Sequence, residues 1–314
     1  MALVTMKEVM ADSLRRALDK NIDPKERYAV GAFNFSTIPE MVGIVEGARE
    51  KNAPVILMLS LGALKYIGSL ELVADAAKGI ARQYPEVPMV LHLDHATDLD
   101  MIKHAVAVGF TNVMIDASQE SFEINIEKSR EISEFAHNQS PRGKFGCSVE
   151  AELGMLAGHE DNISVSEEDA GKAYTDPALV PEFVEKTGID ALAVAIGTAH
   201  GFYKAAPKIR FDLLEEIRKA TDIPLVLHGG TGVPDEDFKK CVAMGMSKIN
   251  VGTGLKKVYT DAVREAIKVL PETEYDPRKI VGPGRKAIAA EIASKCDLFN
   301  ATGKAKAVMQ ELYR

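Results

Sequence analysis

The chain of 314 residues carries 38 Lys and Arg against 46 Asp and Glu, a formal net charge of −8 at pH 7 with histidine neutral. That acidic balance argues against nucleic acid as a main partner, because a phosphate backbone selects basic surfaces, and no apolar stretch approaches the roughly 20 residues that span a bilayer. Met1 to Met10 lacks the basic start and apolar run of a secretory signal, and Cys147, Cys241 and Cys296 form no CxxC pair; the expectation is a cytoplasmic protein with reduced thiols.

In chain order, short apolar and β-branched runs recur at Ala29–Phe33, Val55–Leu59, Met89–Leu93, Asn112–Ile115, Gly146–Val149, Ala191–Ile196, Pro224–Leu227 and Lys248–Val251. Helix-like stretches separate them. Glu40–Glu50 sets Met41, Ile44, Val45 and Ala48 on one face, and Leu70–Arg82 does so with Leu72, Ala76 and Ile80. Phe211–Ala220 sets out Leu213, Leu214 and Ile217, and Asp261–Leu270 sets out Val263, Ile267 and Leu270. Eight alternations of β and α predict a parallel sheet with right-handed crossovers, closed as a (β/α)8 barrel rather than an open doubly wound sheet. No shift in composition marks a second domain, so residues 1–314 read as one barrel domain with a C-terminal helical extension. Two long loops stand out: Gly154–Thr175, which reads as a mobile lid or a plain surface insertion, and Glu272–Gly284, which precedes a final helical region.

Barrel enzymes build their sites at the carboxyl ends of the strands. Here those ends carry, in turn, Asn34, Ser60, the Asp94-His95 pair, Asp116 with Ser118, Glu150 with Glu152, His200, His228, and Asn250 with Thr253. A lone histidine in such a place is usually hydrogen-bonded structure, but three converging on one mouth point to a metal site with an open position. His92 lies inside its strand and reads as core packing or support. His104 and His137 read as surface residues, and His159 falls in the lid loop.

Gly229-Gly230-Thr231-Gly232 and Asn250-Val251-Gly252-Thr253 each precede a helix. Main-chain N–H groups at glycines and helix N-termini favour anions, and the loops after strands seven and eight form the usual barrel phosphate site. A metal that polarises a carbonyl, a nearby carboxylate that moves a proton and a phosphate anchor together fit carbon–carbon cleavage next to a carbonyl. No lysine is prominent at a predicted strand end, which weakens a Schiff-base mechanism. A metallohydrolase is the main alternative, but the first strand ends in Asn34 and no His-x-His occurs. A non-catalytic barrel subunit would not need all three histidines.

The motifs His92-Leu93-Asp94-His95, Val113-Met114-Ile115-Asp116, Val149-Glu150-Ala151-Glu152-Leu153-Gly154, Gly197-Thr198-Ala199-His200-Gly201 and His228-Gly229-Gly230 are specific. The chain resembles the class II, zinc-dependent ketose-bisphosphate aldolases of the fructose and tagatose type, from Tyr28 to Arg278. That resemblance implies a catalytic zinc on His95, His200 and His228. It implies Asp94 as the acid/base at the substrate's C4 hydroxyl, and Glu160 as the group that transfers a proton at C3. Gly201, Gly229, Gly230, Thr231, Asn250, Val251, Gly252 and Thr253 would bind phosphate, often with a monovalent cation (Na+ or K+) nearby. Asp116 and Glu152 match a secondary metal position. Arg278 matches an arginine reaching the far phosphate from a neighbouring subunit, so a homodimer or homotetramer is implied.

The chain also departs from that pattern. Ser36 and Thr37 stand where many relatives have asparagines, Gln119 follows Ser118 where histidine is frequent, and Thr231 replaces a usual serine. Gly252 stands where fructose-type relatives often carry aspartate and tagatose-type relatives a small residue. The expected substrate is therefore a ketose 1,6-bisphosphate of either type, with another phosphorylated ketose, such as an inositol-catabolic intermediate, as the alternative.

Overall fold

The computed structural model describes residues 3–139, 146–160, 163–165, 174–201 and 207–312. Eleven strands occur among them: β1 (Val30–Asn34), β2 (Val55–Leu59), β3 (Met89–Ala96), β4 (Asn112–Ile115), β5 (Ser148–Leu153), β6 (Ala157–Glu160), β7 (Ile163–Val165), β8 (Ala191–Val194), β9 (Ala199–His200), β10 (Leu225–Leu227) and β11 (Met246–Val251). Eight of them close a parallel barrel in the order β1, β11, β10, β8, β5, β4, β3, β2. Closure is made where Val30 pairs with Lys248 and Phe33 with Val251. Helices surround the barrel, so this is the expected (β/α)8 fold with helices Pro277–Leu298 and Ala305–Leu312 at its C-terminal end. No helix among the described residues is long and apolar enough to cross a membrane.

Helix Ile38–Glu50 begins with a capping box, in which Thr37 and Glu40 satisfy each other's backbone N–H groups. Thr37 therefore has a local task that asparagine would share. The helix buries Met41, Ile44, Val45 and Ala48, as its periodicity predicts. Its Gly43 and Gly47 face helix Pro277–Leu298 so closely that a Cβ on Gly47 would collide with the Ala289 carbonyl. At the amino end of the barrel, helix Met6–Leu18 follows a chain tied down by the Val4 N–H donating to the Met89 carbonyl at 2.9 Å.

Four expectations are corrected. Leu72 is 50% exposed, and helix Leu70–Gln83 instead buries Val73, Ala77 and Ile80, because a stripe spaced by three and four follows the helix face better than one spaced only by four. Ile267 is 58% exposed, and helix Thr253–Val269 buries Leu255 and Ala266. The Glu272–Gly284 loop is helical from Pro277 onward: Asp276 caps the helix by accepting from the Arg278 N–H at 3.0 Å, and proline suits the first helical position. Strands β3 and β5 run through Asp94, His95, Glu150 and Glu152 instead of stopping before them. Buried charge is tolerated in a strand when it finds partners, and these acids have imidazole or ammonium neighbours.

The lid region is partly ordered as strands. β6 pairs antiparallel with β7 and parallel with β9, outside the barrel. Residues 161–162 and 166–173 of the predicted lid lie outside the described residues.

Candidate active site at the carboxyl end of the barrel

Asp94 and His95 are adjacent in β3, where alternation should point them to opposite faces. His95 has φ +47°, a left-handed conformation that a non-glycine residue rarely adopts, and the β3–β4 register shifts between Leu93 and Ala96. The break in the pleat lets both side chains serve the mouth. His228 follows β10. His200 lies on β9, where Gly158 of the lid pairs with it.

The three imidazoles converge, with one nitrogen from each within 4.8 Å of the others. His95 Nε2 and His228 Nδ1 stand 2.8 Å apart. The other nitrogen of each ring is held by a carboxylate: His95 Nδ1 by Asp116 Oδ2 at 2.7 Å, and His228 Nε2 by Glu150 Oε1 at 2.8 Å. Asp116 is steadied in turn by the Ser118 hydroxyl at 2.7 Å and N–H at 3.1 Å. Histidines with an outer nitrogen on a carboxylate and an inner nitrogen facing a common centre are arranged as metal ligands are. The donor set fits a divalent ion such as zinc, which His95, His200 and His228 would hold. His95, Asp116 and Glu152 form a second such group.

The electrostatics favour that use. Burial pushes the His200 imidazole well below its ordinary range, and its two partner imidazoles add to this. Burial also lowers His228. Both rings are therefore kept in the neutral form that binds metal. Burial alone would raise Asp94, but the His95 and His92 imidazoles outweigh it and hold the carboxyl below the usual carboxylate range. Glu152 is the opposite case: burial and the charge of Asp116 push it well above that range. Its Oε1 accepts from the Leu156 N–H at 3.2 Å, while Oε2 lacks a hydrogen-bond partner.

Beside the imidazoles lies a cleft of about 290 Å³, lined by Asn34, Met58, Asp94, His200, Gly201, Gly229, Gly230, Thr231, Asn250, Gly252 and Thr253. Most of the residues expected to bind phosphate are thus in one place. Gly229 has φ +69°, and a Cβ there would collide with the Ala199 backbone, so glycine is required. Thr231 Oγ1 accepts from the Gly254 N–H at 2.9 Å, joining the two phosphate loops.

Other expected residues stand apart. Val251 is in the hydrophobic core, leaving only its main chain for the cleft. Ser60 is buried and caps helix Leu61–Ile67, accepting from the Ala63 N–H at 3.4 Å. The Arg278 side chain is 89% exposed and paired with Asp276, and does not line the cleft of its own chain. Glu160 ends β6, and its side chain lies outside the described residues. The sequence reading missed Lys248, which opens the eighth predicted strand. It is fully buried and bonded to Glu150 at 2.6 Å. A lysine inside an apolar run was the available signal.

Residues 13–304 match the family model described as fructose-bisphosphate aldolase class-II. The chain belongs to the class II fructose-bisphosphate aldolase family. It is 44% identical over 306 residues to the fructose-bisphosphate aldolase of Geobacillus stearothermophilus, covering 97% of this chain and 99% of that protein. Identity to the fructose-bisphosphate aldolase of Staphylococcus aureus is 41% over 308 residues, covering 98% and 100%. The crystal structure of the YdjI aldolase from Escherichia coli K12 matches with a TM-score of 0.78 at 30% identity, covering 96% of this chain and 99% of that one. As a class II aldolase the protein is a lyase, from a family that is zinc-dependent in general. The alternatives, another phosphorylated ketose, a metallohydrolase or a non-catalytic barrel, are not favoured.

Proposed function

We infer that the protein reversibly cleaves a ketose 1,6-bisphosphate to dihydroxyacetone phosphate and glyceraldehyde 3-phosphate. The observation that carries this is the convergence of three imidazoles beside a buried Asp94, at a cleft walled by Gly229, Gly230 and Gly252. Zinc on His95, His200 and His228 supplies positive charge at the ketone oxygen when bound. Asp94 takes the proton of the C4 hydroxyl as the C3–C4 bond breaks and the aldehyde forms. The electron pair stays on the dihydroxyacetone phosphate half, where C3 regains a proton, for which Glu160 is the candidate donor. The glycine loops and Thr231 hold the C1 phosphate and keep the ketone in place. A Na+ or K+ ion beside that phosphate belongs to the same reading and is tested by changing the monovalent cation.

Gly252 supports a site open to both fructose and tagatose substrates. A Cβ at this position would collide with Asn34 Oδ1, so a side chain reaching for a sugar hydroxyl from here would first have to displace Asn34. A coupled cleavage assay across several ketose bisphosphates, with and without chelator, tests the function. Activity should appear with a ketose 1,6-bisphosphate and vanish on chelation. Full activity after exhaustive chelation refutes the metal reading, and a fructose preference of several hundredfold refutes the reading of Gly252.

A homodimer or homotetramer is part of the proposal. It is supported by the exposed Ile267, Val269 and Tyr275 near the solvent-facing Arg278. Mixing Asp94→Ala and Arg278→Ala chains should restore activity that each lacks alone, if Arg278 serves a neighbour's site.

A further inference from the structure

Beneath the imidazoles the barrel interior holds a polar layer that the cleavage steps leave unused. Lys248 of β11, Glu150 of β5, His92 of β3 and Asn112 of β4 are all fully buried. Such positions in a barrel are ordinarily filled by branched aliphatic side chains. Lys248 Nζ donates to Glu150 Oε2 at 2.6 Å and lies 3.2 Å from His92 Nε2. The other oxygen of Glu150 holds His228 Nε2 at 2.8 Å. His92 Nε2 is at ion-pair distance from Asp94 Oδ1, 3.3 Å, and that oxygen carries no hydrogen bond. One ammonium thus stands between a metal-site imidazole and the acid/base.

We propose that Lys248 is a positioning residue that sets the hydrogen bonding at both ends of this chain, an inference that rests on the roles given above to His228 and Asp94. Toward the metal, Lys248 keeps Glu150 an acceptor. Glu150 therefore takes the proton on His228 Nε2 and leaves Nδ1 with a lone pair toward the centre. Toward the acid/base, the ammonium donates to His92 Nε2, so the His92 proton sits on Nδ1. The Asn112 amide nitrogen lies 2.5 Å from Nδ1 and the amide oxygen has no partner; turned over, the amide presents that oxygen to the Nδ1 proton. With His92 Nε2 occupied from below, Asp94 Oδ1 stays open for the substrate hydroxyl. Without Lys248, His92 would move its proton to Nε2 and close that oxygen by donating to it.

The test uses the zinc-loaded enzyme and the variant Lys248→Met, which keeps most of the side-chain volume. Competition with a chelator should show zinc held roughly 10–100-fold more weakly, the usual cost of losing a group that orients a ligand. Nitrogen NMR of labelled histidine should show the His92 proton moving from Nδ1 to Nε2, and kcat should fall with KM little changed. If Lys248→Met does not fold, Lys248→Met combined with Glu150→Gln buries no lone charge and is read by the same three measurements. A folded variant that binds zinc within twofold of wild type and keeps the His92 proton on Nδ1 overturns the proposal. Failure of the parent reading looks different: wild type that binds no zinc, or an Asp94→Ala variant with unchanged turnover.

Discussion

At the amino end of the barrel, Asp190 accepts the Val149 N–H at 2.9 Å and stands 2.7 Å from His137 Nε2 and 3.3 Å from Lys7 Nζ. Both of its oxygens are used. At the carboxyl end, Asp94 keeps an oxygen without a hydrogen bond, as do Glu152 and Asn250, and neither polar atom of the buried Asn34 amide is hydrogen-bonded. Both ends bury acids near histidines. A carboxylate that serves stability is saturated by its own chain, whereas a ligand site withholds bonds that the ligand will make. Histidine and acid composition alone would not separate the two ends; the saturation of Asp190 against the open oxygen of Asp94 does.

The largest expected effect that could break this contrast is at Asp94. Asp94→Ala should lower turnover about 10³-fold, in the range of lost acid–base catalysis, while zinc content measured on the purified protein stays at the wild-type level. Asp190→Ala should do the reverse. It leaves kcat in place but lowers unfolding stability by about 2 kcal/mol in a denaturant titration, because bonds to a charged group are lost. If Asp190→Ala instead abolished turnover in a stable protein, the distinction would fall. Next in size, His200→Ala should strip the metal, and His137→Ala should not, as metal analysis of both proteins would show.

Acid sharpens the comparison further. Burial alone would raise Glu150, but Lys248 and the His228 hydrogen bond bring it down to about 2. Its folded value is therefore below its unfolded one, so its contribution is complete above the ordinary carboxylate value and is lost as pH falls toward about 2. Burial would raise Asp190 as well, yet its His137 hydrogen bond lowers it, giving the same sign at the other end. Glu152 is raised, so its burial costs stability once pH passes its ordinary value. In chelator at pH 7, Glu152→Gln should melt higher by about 2–4 °C. A lower melting temperature would show that Glu152 is paired after all. The smallest effect is expected from Gly252→Ala, where the added methyl displaces Asn34 and raises KM by about threefold, a change worth under 1 kcal/mol and read in steady-state kinetics.

Much of this was legible because it is local. The strand runs, the phosphate-loop glycines and the three histidines as a group needed only periodicity and motif spacing. What was missed depends on distant partners. Lys248 reads as an interruption of an apolar run until Glu150, far away in the chain, is placed opposite it. His200 was expected to follow a barrel strand, but it lies on the extra strand β9, paired with the lid, and short polar strands carry little signal. The facing of Asp94 and His95 depends on one backbone angle, at His95. The solvent face of Ile267 is invisible to a pattern that assumes apolar residues turn inward.

The barrel is sealed by its last strand, and helix Pro277–Leu298 then docks on Gly43 and Gly47 near the start of the chain. During synthesis, β1 therefore waits for nearly the whole polypeptide to leave the ribosome before its open edge is covered. Until then the emerging chain carries an unpaired strand edge, and chaperone engagement or aggregation competes with closure in that interval.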